Sequence, residues 1–138
     1  MLAAASLPDL SGVVLIPVPM DPRRKRKTGV DHALLLANYL GQAAGRLVLQ
    51  PLRRRAAPRG IRQAGAGRRD RLIEERIRIE SVAPSPRNCL VIDDVHTTGT
   101  TLRVVASELA RGGAEMVSCM TFARALPPAY AGKDGSSW

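Results

Sequence analysis

Asp93 and Asp94 stand side by side at the end of an apolar run, Cys89-Leu90-Val91-Ile92, and three residues further on comes Thr97-Thr98-Gly99-Thr100-Thr101. Leu102, Val105, Ala106 and Leu109 then recur at helical spacing. A strand, an acidic pair, a hydroxyl-rich turn and a helix are therefore expected in that order. Chemically this builds an anion site. A helix N-terminus presents backbone N–H groups and the positive end of its dipole, and the threonine hydroxyls add neutral donors around it. Gly99 lets the backbone turn tightly and approach an anion closely. The two carboxylates would repel that anion if they faced it, so they suit hydroxyl groups or a hydrated Mg²⁺ beside it.

A ligand with a phosphate at one end and a diol at the other satisfies both halves, which describes a ribose 5-phosphate. The plain alternative is a strand-to-helix turn in which the threonines only cap the helix and the aspartates are solvated. No Gly-Lys-Ser/Thr follows the glycine, so the segment is not a P-loop. His96 reads as a pocket-edge or packing side chain rather than a catalytic base, because nothing near it in sequence would orient it.

The elements that must position these residues alternate. Val13–Val18 reads as a buried strand ending at Pro17-Val18-Pro19, and Asp31 as the N-cap of a helix with Ala33, Leu36, Ala37 and Leu40 on one face. Arg46–Leu52 is expected as a second short strand and Ala56–Gly67 as a long loop. Arg69–Glu75 follows as a helical turn and Arg76–Glu80 as a half-exposed strand. The Cys89 strand, a helix over Thr100–Arg111 ending at Gly112-Gly113, and a strand over Met116–Ala123 complete the pattern. Such alternation predicts an α/β fold, a mostly parallel sheet flanked by helices in a single compact domain. Ligands of such sheets sit at the carboxyl edge. Residues 1–12 read as an N-terminal extension, 13–126 as the domain and 127–138 as a disordered tail.

Composition bounds the rest. The 138-residue chain is 45% hydrophobic but only 3% aromatic, so Leu, Val, Ile and Ala must supply a small core. A core of that size would gain from a second copy, which makes a homodimer an expected form. Cys89 and Cys119 fall in apolar strands and are expected as buried thiols, and without CxxC spacing they do not suggest zinc. No run is long and apolar enough for a membrane span, and the N-terminus lacks a signal-peptide pattern, so a cytoplasmic protein without membrane contact is expected. The net charge of +9 is concentrated in residues 23–27, with five cations, and residues 53–71, with eight arginines against Asp70, leaving the remainder net acidic.

The thirteen residues Leu90–Leu102 resemble the phosphoribosyl pyrophosphate (PRPP) loop of type I phosphoribosyltransferases. With Ile16-Pro17-Val18-Pro19, Thr28-Gly29-Val30-Asp31-His32 and Arg62-Gln63 through Arg71-Leu72, the chain is similar over about residues 13–124 to the ComF family of that superfamily. The resemblance implies that Asp93 and Asp94 hold the ribose hydroxyls, directly or through water beside Mg²⁺, and that Thr97, Thr98, Gly99, Thr100 and Thr101 wrap the 5-phosphate. It also implies that the Pro17–Asp21 turn, through Pro19, Met20 and Asp21, binds diphosphate, and that the Ala56–Arg71 region closes over the site. Arg68 and Arg71, with Arg62 as a further candidate, would then take up the leaving group's charge. Where the family commonly has Asn shortly after the position of Leu72, this chain has Ile73-Glu74-Glu75.

The implied activity is transfer of phosphoribosyl from PRPP to a nitrogen nucleophile with release of diphosphate. Nothing in the sequence separates a base, ammonia or an amine as that nucleophile. The ComF name is associated with DNA uptake and competence. A second expectation is therefore a PRPP-sensing or nucleic-acid-binding protein using segments 23–27 and 53–71, although no aromatic residue lies in either run to stack on bases.

Overall fold

The computed structural model describes residues 10–56, 77–96 and 99–124. Val14–Pro17 forms β1, and Asn88–His96 pairs with it in parallel as β4, Leu15 opposite Leu90 and Pro17 opposite Ile92. Met116–Arg124 forms β5 along the other edge of β4, also in parallel. A further parallel bridge joins Leu15 to Val48, with Leu15 N–H donating to Leu47 O at 2.9 Å and Leu49 N–H to Leu15 O at 3.1 Å. The expected α/β architecture with a parallel sheet flanked by helices is what the chain adopts.

Two helices lie between β1 and the next strand. Pro22–Thr28 is α1, which apolar periodicity could not reveal because all five of its cations are exposed and none of its residues is buried. Its signals are terminal. Asp21 Oδ1 accepts from Arg23 N–H at 2.9 Å, Pro22 begins the helix, and Gly29 ends it at φ 68°. His32–Ala44 is α2, capped as expected by Asp31, whose Oδ1 accepts from Leu34 N–H at 3.0 Å.

Leu52–Arg55 (β2) and Arg78–Ser81 (β3) pair antiparallel in a separate two-stranded ribbon. The strand expected over Arg46–Leu52 is thus divided between the Val48 bridge and β2, because Pro51 has no N–H to donate to a continuous ladder. Thr100–Arg111 is α3, and β4 runs on through both aspartates to His96 instead of stopping before them. The loop and helical turn expected over 57–76, and the segments 1–9 and 125–138, lie outside the described residues.

The core has two halves, one on each face of the sheet. Ile16, Cys89 and Val91 pack with Val105 and Leu109 of α3 and with Leu52, Ile77 and Ile79 from and beside the ribbon. On the opposite face Leu15, Leu90 and Ile92 pack against Ala37 of α2. Cys89 is buried as expected, but Cys119 is exposed. It sits on β5, which is an edge strand with no neighbour beyond it among the described residues, so alternation alone does not bury it. No described helix is long and apolar enough to cross a membrane.

The fit of α2 against the sheet edge depends on Gly41. A Cβ added there would lie 2.8 Å from Val48 Cγ2 and 2.9 Å from the backbone oxygen of Arg46. Alanine normally gains about 0.5–1 kcal/mol over glycine inside a helix, whereas overpacking costs about 1–3 kcal/mol, and a backbone oxygen cannot rotate away. Gly41→Ala is therefore expected to lower the thermal midpoint by several degrees; a midpoint equal to or above wild type in a melting experiment would show that α2 can shift to accommodate it.

Candidate functional site

β4 carries its apolar residues through the centre of the sheet and delivers Asp93 and Asp94 to the carboxyl edge. The last rung between β1 and β4, Val18 N–H to Ile92 O at 2.9 Å, brings the turn that follows β1 alongside them. The result is a cleft of about 410 Å³ whose wall includes Pro19, Met20, Asp21, Asp93, Asp94 and Thr101. That volume lies within the range of small-molecule sites, about 300–1,000 Å³. The Asp93 carboxylate is oriented locally, its Oδ1 accepting from Asp94 N–H at 2.9 Å.

Of the residues picked from sequence, the structure brings together Asp93, Asp94, Thr101, Pro19, Met20 and Asp21. Gly99 takes the left-handed conformation at φ 79° and stands at the N-cap of α3, a position where it has no side chain to cap with. Thr100 is buried, and its Oγ1 accepts from Arg103 Nη2 at 3.4 Å. Thr97, Thr98, Arg62, Arg68 and Arg71 lie outside the described residues, as does the side chain of His96. Asp21 has a role that spacing did not reveal: its carboxylate caps α1. Asp31, also on the cleft wall, caps α2 in the same way. Both charges are partly spent on helix N-termini.

Sequence reasoning missed two cations. Arg24, from the exposed face of α1, and Arg54, from β2, both line the cleft. Arg54 is one of three consecutive arginines, and strand alternation separates them. Arg53 and Arg55 point outward and share Glu80 Oε1, with Nε–O distances of 3.1 and 2.8 Å, and these hydrogen bonds hold the Glu80 carboxyl below its ordinary range. Arg54 faces the other way, beside the buried Leu52 and Ile79, half-buried. No hydrogen bond or ion pair to another described residue engages it. The signal that could have found it was the alternation of a Leu-Arg-Arg-Arg strand, legible only once the segment is known to be a strand.

Chemically the cleft combines a carboxylate pair suited to hydroxyls, a hydroxyl at the start of α3, and two guanidinium groups approaching from separate elements. Guanidinium groups grip phosphate oxygens in pairs. Mg²⁺ keeps several waters and needs only one or two carboxylates when phosphates supply the remaining ligands. Among the described residues no group of three or more His, Cys, Asp or Glu could hold a metal by itself. The 93/94 pair fits such an ion only when phosphate accompanies it.

Residues 74–134 match the family model of the phosphoribosyl transferase domain, a stretch that contains β3, β4, α3 and β5. No curated protein matches the chain. Among solved structures it is similar to the allosteric regulatory enzyme of purine biosynthesis, at 20% identity and a TM-score of 0.49, over 78% of this chain and 21% of that one. It is also similar to a purine phosphoribosyltransferase from Pyrococcus horikoshii Ot3, at 17% identity and a TM-score of 0.48, over 83% of this chain and 69% of that one. The chain thus spans about a fifth of the first of these.

Two outcomes follow. Losing a charge-assisted hydrogen bond costs about 1.5–3 kcal/mol, so Arg54→Ala is expected to weaken binding of inorganic pyrophosphate by about tenfold or more. Arg53→Ala, which leaves the Arg55–Glu80 pair in place, should change it little; equal affinities for the two variants in calorimetry would remove Arg54 from the site. Cys119 offers a second probe. Although the residue as a whole is exposed, desolvation of its sulfur against the sheet, and then the Asp93 charge, raise its thiol pKa above the ordinary value. Less thiolate is present at pH 8, so alkylation by iodoacetamide should be slower than for a free thiol. Asp93→Asn should accelerate it, and an unchanged rate would show that Asp93 is neutral or remote from the sulfur.

Proposed function

We propose that the protein binds PRPP with Mg²⁺ and transfers its phosphoribosyl group to a nitrogen nucleophile, releasing diphosphate. The observation that carries this reading is the meeting, at one sheet edge, of the Asp93–Asp94 pair and Thr101 with the Pro19–Asp21 turn and Arg54. The match of residues 74–134 to the phosphoribosyl transferase domain supports it independently. The ComF family is the subdivision that the segments outside that match favour.

In this reading Asp93 and Asp94 take the ribose 2- and 3-hydroxyls, with Asp93 pre-set by its bond from the Asp94 N–H. Thr97 through Thr101 receive the 5-phosphate at the start of α3. The turn after β1 receives diphosphate through backbone groups of Met20 and Asp21, since Pro19 has no N–H and the Asp21 carboxylate is a cap. Arg54 and Arg24, joined by Arg68 and Arg71, take up the charge that grows on diphosphate as the C1–O bond breaks, which is stabilisation where charge accumulates. Mg²⁺, when bound with the diphosphate beside the 93/94 pair, supplies neutralisation of that same charge.

A second reading is favoured by α1, whose five cations are all exposed and one of which, Arg24, lines the cleft. With Arg53–Arg55 they could track a nucleic-acid backbone, giving a nucleic-acid binder, as in DNA uptake, in which PRPP is sensed and not consumed. Binding of that kind falls steeply with salt.

Calorimetric titration of PRPP with Mg²⁺ tests the main reading. Wild type is expected to bind in the micromolar range, and the Asp93→Asn/Asp94→Asn double variant to lose at least tenfold, at two salt concentrations. Absence of heat from folded wild type would sink it, and a salt-steep affinity for single-stranded DNA in the same protein would then carry the second.

A further inference from the structure

We infer that His32 is a catalytic residue of the transfer, its imidazole taking the proton that the nucleophile gives up as it bonds to C1. This rests on the phosphoribosyl reading above and adds to it a group that the acidic pair and the arginines do not supply. His32 is the first residue of α2. It lines the cleft, and with Arg24 and Asp94 it also lines a second cavity, of about 610 Å³, that opens beside it.

The place of C1 follows from the shape of ribose. Strand alternation puts Asp93 on the α3 face of β4 with Val91, and Asp94 on the α2 face with Leu90 and Ile92. Thr101, at the start of α3, lines only the first cavity. In a ribofuranose C4 carries the 5-phosphate arm, C2 and C3 carry the hydroxyls, and C1 lies across the ring from C4. With the 5-phosphate at α3 and the hydroxyls at the acidic pair, C1 points toward α2. Diphosphate departs toward the turn after β1, which leaves the second cavity as the approach for the nucleophile, with His32 at its border.

Of the three residues on that border, only His32 can take the proton. The Arg24 guanidinium has no acceptor lone pair and stays charged. Asp94 is engaged, in this reading, by a ribose hydroxyl. Asp21 and Asp31, also on the cleft wall, accept from the backbone N–H groups of Arg23 and Leu34. Among the described residues no hydrogen bond or ion pair engages the His32 imidazole. Imidazole is the commonest side-chain base for such a transfer, and the residue is exposed, so the proton has a way out to solvent. In the step itself the nucleophile's lone pair forms the bond to C1, and the C1–O bond breaks with its electron pair leaving on diphosphate. The proton of the attacking atom passes to a ring nitrogen of His32 and then to water, which restores the neutral ring.

The test measures diphosphate release from PRPP with Mg²⁺ in wild type, His32→Ala and His32→Gln, first with water as the only nucleophile and then with sodium azide. Calorimetry follows PRPP binding to each. Water must give up a proton as it bonds to C1, whereas azide has none to give. Because His32 is exposed, neither substitution threatens the fold. Both variants are expected to lose about a hundredfold in the water reaction, the scale of general base catalysis, while the azide reaction and PRPP affinity stay at wild-type values. Glutamine keeps a hydrogen-bonding side chain without a base, so it should do no better than alanine. An unchanged water rate in His32→Ala would overturn the inference and leave the phosphoribosyl reading intact. Equal losses with water and azide, or a wild-type rate in His32→Gln, would overturn it too, by showing that the side chain packs or positions and moves no proton. So would a wild type that binds PRPP but releases diphosphate with neither nucleophile. No heat from PRPP on folded wild type would overturn both, the fault then lying in the underlying reading.

Discussion

The parallel ladder on both edges of β4 is the constraint from which the rest of the site follows. With β1 on one side and β5 on the other, the backbone groups of Leu90, Val91 and Ile92 lie within a continuous sheet, and their side chains are buried alternately on the α2 and α3 faces. A strand held on all four sides has no freedom in register, because a slip of one residue would turn its apolar set to the wrong face. The two carboxylates must then emerge where the burial ends. The same register puts Val18 against Ile92, so the turn after β1 has no choice but to lie next to Asp93. The cleft is assembled by three chain segments, and one strand's register sets the place of two of them.

This explains which parts could be read from sequence. Strand β4, the acidic pair, the Gly99 turn and α3 are contiguous, and each is signalled by local physics: apolar run, glycine at positive φ, helical spacing of Val105 and Leu109. The Asp31 cap of α2 was legible for the same reason. The role of Arg54 was not, because it depends on β2 pairing with β3 across more than twenty intervening residues, and only that pairing separates the inward Arg54 from the outward Arg53 and Arg55. The helix α1 escaped periodicity because it buries nothing, although Asp21-Pro22 and Gly29 mark its two ends. Cys119 was misjudged because an apolar strand sequence does not reveal whether the strand lies at the centre or the edge of its sheet.

The charge pattern acquires meaning from the same geometry. Four aspartates surround the cleft, which would make it a poor place for phosphate if all four were alike. Two of them cap helices, where the N-terminal dipole offsets their charge, and under the proposed function the 93/94 pair addresses hydroxyls. Beside this acidic floor stand Arg24 and Arg54. Clefts lined by one sign of charge focus the field on their ligands, and here the two guanidinium groups offset part of the acidic floor.

The arginine pair sharing Glu80 also bears on how Arg54 can work. A lone two-stranded ribbon is marginal by itself, and exposed ion pairs contribute little to stability, about 0–1 kcal/mol. The stability of the ribbon therefore comes from Leu52, Ile77 and Ile79 buried against α3 and the sheet. What Glu80 adds is direction: it engages both outward guanidinium groups on one face of the ribbon, while Arg54 faces the cleft on the other. The acidic floor of the cleft is thus set by the parallel sheet and Arg54 on its wall by the antiparallel ribbon, and the apolar packing of Leu52, Ile77 and Ile79 against α3 and the sheet fixes the one relative to the other.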